Sequence, residues 1–139
     1  MNAAPKEAVE LIKMQAYGYT PAQIADTINA DAVIAYHITP RANVDNIRMM
    51  GLRATSCQQS YTRPPAVYLF LDRDDCAPNA PIILGNNVPY AIITITLPRD
   101  LALQLQDDSL YRGSFDTAYS CAKLPCDIPA SMITDISLA

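Results

Sequence analysis

The side chains best placed to do chemistry lie between Ala35 and Leu52, in the run AYHITPRANVDNIRMMGL. His37 is the only histidine, and imidazole is the group that gains or loses a proton most readily near pH 7. Thr39 adds a hydroxyl two residues on. The other reactive groups are four cysteines, Cys57, Cys76, Cys121 and Cys126. No CxxC occurs and no second histidine is present, which argues against a structural zinc site. No histidine adjoins any cysteine in sequence, so a cysteine nucleophile is poorly supported. A lone histidine in a strand is more often simply packed there. What singles out His37 is the local structure around it.

Residue alternation sets Val33, Ala35 and His37 on one face of a strand, and Ile34, Tyr36 and Ile38 on the other. Thr39 is then expected to cap a helix, with Pro40 in the first turn, where its missing N–H is not needed. Val44 and Ile47 share one face of that helix, and Asp45 lies near its positive end. Gly51 is expected to take the left-handed conformation that stops it. His37 and Thr39 therefore sit where a strand opens into a helix, a common place for a ligand.

Ahead of this stretch, Pro5 to Tyr17 reads as a helix with Ala8, Leu11 and Ile12 inward, ended by Gly18. Thr20-Pro21-Ala22-Gln23 has the form of a capping box, opening a second helix to about Asn29. The pair resembles a DNA-reading helix-turn-helix in outline only. Its second helix has no Lys or Arg to meet phosphates or base edges. Behind the central stretch, 53–66 and 72–89 read as polar loops. Val67 to Leu71 reads as a short strand with Tyr68 and Phe70 on one face. Pro89 to Leu97 is the strongest strand, dense in β-branched residues, and is expected at the centre of a sheet. Arg99 to Gln106 suggests a short helix, Ala118 to Ala122 a strand, and Met132 to Leu138 a closing strand.

The chain has 139 residues, 50% hydrophobic and 17% charged, with a net charge of −4. That length and composition fit one domain with a real core: a helical pair over 1–31 and a sheet-based body over 32–139. The acidic balance and the lack of a basic block do not advertise affinity for nucleic acid. No signal-like or bilayer-spanning apolar run is present, so the expected setting is cytoplasm, of the producing cell or of a target cell, with no membrane partner. Cysteines in that setting are expected to be reduced.

Tyr36-His37-Ile38-Thr39, Gly51-Leu52, Val67-Tyr68-Leu69 and the ending Ile128-Pro129-Ala130-Ser131-Met132-Ile133, in this order, resemble the ADP-ribosyltransferase-like superfamily. The similarity is to the branch that includes poly(ADP-ribose) polymerases, diphtheria-type toxins and RNA 2′-phosphotransferases, and it covers roughly residues 32 to 138. It implies an α+β fold of split antiparallel β-sheets. It implies NAD as substrate, with ADP-ribose passed to a protein, nucleic acid or small-molecule acceptor. In that reading His37 bonds a ribose of NAD, Thr39 supports the same end of the ligand, and Tyr68 stacks on nicotinamide. His37 and Tyr68 are then expected in one cleft. Arg53 is a candidate phosphate contact. The chain departs from the pattern at the third catalytic position, usually a glutamate, because its only glutamates are Glu7 and Glu10. Asp116, then Tyr119 and Ser120, are the candidates in that region. The departure leaves open a degenerate member that binds a nucleotide or a protein without chemistry.

Overall fold

The computed structural model describes residues 5–54, 65–107 and 121–139. It is a mixed α+β structure built on one open antiparallel sheet. The helices are α1 (Pro5–Ala16), α2 (Pro21–Thr27), α3 (Val44–Met50), α4 (Cys76–Leu84) and α5 (Arg99–Ala102). The strands are β1 (Ala32–Pro40), β2 (Val67–Phe70), β3 (Tyr90–Pro98), β4 (Gln106–Asp107), β5 (Cys121–Leu124) and β6 (Ile133–Leu138). Their order across the sheet is β4-β5-β2-β1-β3-β6. The expected split pair of sheets is thus a single hydrogen-bonded sheet, in which the Ile-rich β3 is interior, between β1 and β6.

Both faces are covered, which explains the long apolar runs in its inner strands. Val33, Ala35, Leu69, Ile93 and Ile95 point to one face and pack with α1, α2, α3 and α5. Leu11 and Ile12 of α1 are fully buried there, each worth about 2 kcal/mol by area removed from water. Ile38, Phe70, Ile92 and Cys121 point to the other face and pack against Cys76 and Ala80 of α4.

The helical pair is tied to the sheet by polar bonds as well as packing. The capping box forms as the sequence predicts: Gln23 N–H donates to Thr20 Oγ1 at 3.2 Å, and Thr20 N–H to Gln23 Oε1 at 2.9 Å. The guanidinium of Arg99 donates to the Ile28 and Ala25 carbonyls at the end of α2. The side-chain amide of Gln15 donates to the Leu105 carbonyl and accepts from Asp107 N–H, standing in for a further strand on the outer edge of β4.

Three expectations are corrected. The segment 72–89 is not a loop: Arg73–Asp75 forms a 3₁₀ turn and Cys76–Leu84 forms α4. Cys76, Asn79 and Ala80 make its buried face, and two prolines mask that period in the sequence. The helix after β3 is one turn, Arg99–Ala102, and the chain returns to the sheet at Gln106. Thr39 is not a helix cap. Arg41 N–H donates to the Pro89 carbonyl at 2.9 Å, which carries the β1–β3 ladder through Pro40. A 3₁₀ turn over Arg41–Asn43 then precedes α3. Asp45 does lie in the first turn of α3, and Gly51 stops that helix with φ +75°. None of the described helices is long and apolar enough to cross a membrane.

Candidate functional site

His37 sits at a seam in the sheet. On one side, β1 pairs with β3 along its whole length, from Ala32↔Pro98 to Pro40↔Tyr90. On the other side, β1 and β2 register at one pair among the described residues, Tyr36↔Phe70. One step past that pair, His37 Nδ1–H donates to the Tyr68 carbonyl at 2.9 Å. A side chain thus takes the place of the ladder.

The direction of the backbone groups follows from this. Along an antiparallel strand, the N–H and C=O of one residue face the same neighbour, and successive residues alternate. Arg41 N–H faces β3, so the odd-numbered residues of β1 face β3 and the even-numbered ones face β2. Ile38 therefore directs its N–H and C=O toward β2. Its counterpart in the register set by Tyr36↔Phe70 is Tyr68, whose carbonyl is occupied by His37. Ile38 thus turns its backbone N–H and C=O toward Tyr68 of β2.

The bond to Tyr68 also fixes the imidazole. Donation from Nδ1 leaves Nε2 with its lone pair in the neutral ring. Burial holds the His37 pKa below its ordinary value of 6.5, and the bond to the Tyr68 carbonyl opposes this in part. The ring is accordingly neutral at pH 7, with Nε2 able to accept a hydrogen bond.

The other predicted residues are placed as follows. Thr39 is buried, and its Oγ1 accepts from Asn43 Nδ2 at 3.4 Å. Tyr68 is half-buried and adjoins His37 through its carbonyl. Strand alternation sets its ring on the α4 face with Phe70, whereas His37 belongs to the face of Val33 and Ala35 and bends toward the seam. The two side chains thus lie on opposite faces of the sheet, not in the single cleft expected of them. Arg53 is exposed, next to Ala54, whose N–H donates to Asp127 Oδ1 at 2.7 Å. Asp116, Tyr119 and Ser120 lie outside the described residues, as does Cys57.

On the α4 face, Tyr36 has its hydroxyl pKa raised, chiefly by burial, against the opposing charge of Arg73. Cys76 is fully buried, and burial pushes its thiol up to about 12, which removes it as a nucleophile at neutral pH. Cys76, Cys121 and Cys126 are free thiols. Among the described residues no group of three or more His, Cys, Asp or Glu side chains is arranged to hold a metal ion.

The residue that sequence reasoning missed is Asn79, the buried polar side chain of α4. It lies in the stretch read as a loop. The signal for it was the i, i+3, i+4, i+7 spacing of Cys76, Asn79, Ala80 and Ile83, interrupted in composition by Pro78 and Pro81.

No protein-family model matches this chain, and no curated protein matches it.

Proposed function

We propose that this protein binds NAD at the β1–β2 seam and transfers ADP-ribose from it to a protein, nucleic acid or small-molecule acceptor, as an ADP-ribosyltransferase-like enzyme. The observation that carries this reading is His37, whose Nδ1–H is held by the Tyr68 carbonyl so that Nε2 keeps its lone pair beside the β1–β2 pairing. Nε2 is suited to accept a ribose hydroxyl. The Ile38 N–H and C=O, one residue on, match the acceptor and donor of a primary carboxamide. A nicotinamide seated edgewise in the seam meets Tyr68 from the α4 side.

Cleavage of the nicotinamide–ribose bond passes through an oxocarbenium-like state. The protein must hold the two rings apart and stabilise the positive charge that develops. Asp116 is the candidate for that charge. One observation favours a second reading, a nucleotide- or protein-binding module without turnover. The chain has no glutamate after Glu10 to fill the usual third position.

Calorimetric titration with NAD tests the site. The wild type is expected to bind, and His37→Ala to bind at least about tenfold more weakly, the loss of one or two hydrogen bonds. A wild type that gives no heat with NAD, or a His37→Ala chain that binds equally well, overturns the seam as the NAD site.

A further inference from the structure

The two edges of the sheet differ. At one edge β4 is two residues long, and the side chain of Gln15 bonds the backbone beside it. At the other edge β6 runs for six residues, Ile133–Leu138, and no described strand stands beyond it. Its ladder to β3 fixes which groups point outward. Ala139 N–H donates to the Tyr90 carbonyl, and Ser137 and Asp135 register with Ile92 and Thr94. Ala139, Ser137 and Asp135 therefore face β3. Ile136 and Leu138, between them, turn N–H and C=O away from the sheet. Lysines, prolines, bulges or a covering element usually guard such an edge. The bulge of β6 lies at its start, where Thr94 registers with Asp135 and Ile95 with Ile133. The run from Asp135 to Leu138 holds one charge and no proline.

The side chains of this run sort by face. Ile136 registers with Ile93 and packs on the larger core cluster. Leu138 registers with Ala91 on that same face and is 57% exposed. Asp135 and Ser137 lie on the opposite face, with Ile92, and Ser137 Oγ donates to Asp135 Oδ2 at 3.1 Å.

We infer that β6 pairs antiparallel with β6 of a second copy of this chain, about a two-fold axis at Ser137, so that two sheets join into one. In that register Ile136 stands opposite the partner's Leu138. Both turn their backbone groups outward, so each such pair exchanges both N–H···O=C bonds. The exposed Leu138 is covered by an isoleucine of the same face. Ser137 meets the partner's Ser137, and Asp135 meets the partner's Ala139, so no like charges stand opposite. An axis at Ile136 would set Leu138 against the partner's Thr134 and lose the apolar match. The edge is thus complementary to itself. It lies across β3 from the β1–β2 pairing, so the inference stands apart from the NAD reading.

Sedimentation equilibrium of the whole chain tests the interface. The wild type is expected to show a reversible monomer–dimer equilibrium. Leu138→Pro removes an N–H that the β3–β6 ladder does not use. It is expected to melt like the wild type when dilute and to dimerise at least about tenfold more weakly. Cross-linking reads the register. Opposite residues of a non-hydrogen-bonded pair lie about 4.5 Å apart at Cα, within disulfide reach. Ser137→Cys is expected to give a disulfide-linked dimer with a small-molecule disulfide as oxidant. Asp135→Cys is expected to give no more than the wild type with its native cysteines. A wild type that stays monomeric up to millimolar concentration overturns the inference. So does a Leu138→Pro chain that dimerises as well as the wild type, or one that melts lower when dilute, since its N–H would then serve the fold. Cross-linking of Asp135→Cys as fast as Ser137→Cys overturns the register.

Discussion

At the scale of the residue, His37 is the side chain on which the proposed chemistry turns, and its ionisation is open to direct measurement. Burial lowers its pKa, so the folded chain takes up this proton at a lower pH than the unfolded chain does. Between the two values the unfolded state holds more protons. The contribution of His37 to stability is therefore complete above about pH 6.5 and declines as pH falls toward the lower folded value. Because His37 is the only histidine, its ring proton resonance can be followed without assignment. That resonance is expected to titrate below 6.5. Urea unfolding at pH 7.5 and 5.5 is expected to show a loss of stability in the wild type that is smaller in His37→Gln. A ring that titrates at or above 6.5 contradicts the burial assigned to it. Donation from Nδ1 survives protonation, so acid is expected to weaken the fold without releasing Tyr68 from this bond.

At the scale of the element, one glycine joins two distant parts of the chain. Gly51 ends α3 at φ +75°, and the next residue, Leu52, exchanges both backbone hydrogen bonds with Ile128 at 2.8 Å. A Cβ at Gly51 would fall on the Ile128 carbonyl oxygen and lie 2.8 Å from the Ala130 nitrogen. Backbone strain and steric overlap thus act together at one position. Gly51→Ala is expected to destabilise the fold by roughly 3 kcal/mol, read from denaturant unfolding. A loss below about 1 kcal/mol would mean that the bridge gives way at little cost. The glycine stop itself was legible in the sequence, because a short apolar period ends at it. So were α1, the capping box of α2 and the strands β1, β2, β3 and β6, all of which rest on local periodicity or a local hydrogen bond. Helix α4 was not legible. Pro78 and Pro81 remove N–H donors and usually mark loops, but here Pro78 falls in the first turn and packing against Ile38 and Phe70 outweighs the bond lost at Pro81. Thr39 was misplaced as a cap because the ladder to β3 runs one residue further than the sequence signals.

At the scale of the whole molecule, the site depends on what the strand order does, and pairing between distant strands is not written in any local pattern. The sequence marks His37 as the end of a strand. It does not show that β1 clings to β3 along its full length and, among the described residues, meets β2 at the one registered pair Tyr36↔Phe70. Nor does the acidic balance of the chain select an acceptor, since a net charge of −4 disfavours general adhesion to nucleic acid without excluding a local contact. Turnover is therefore the property to measure first. In the proposed reading, holding NAD needs His37 and the seam. Releasing nicotinamide also needs a group that stabilises the oxocarbenium charge, and Asp116 is the acidic side chain proposed for it. Removing one such group commonly lowers the rate about a hundredfold or more. Nicotinamide release by Asp116→Ala is accordingly expected to fall by about that factor, with NAD affinity nearly unchanged, whereas His37→Ala loses affinity first. A wild type that binds NAD yet releases no nicotinamide with protein, nucleic acid or small-molecule acceptors would make the seam a binding site alone. Equal release by wild type and Asp116→Ala would move the charge-stabilising role to another residue, with Tyr119 and Ser120 the next to test.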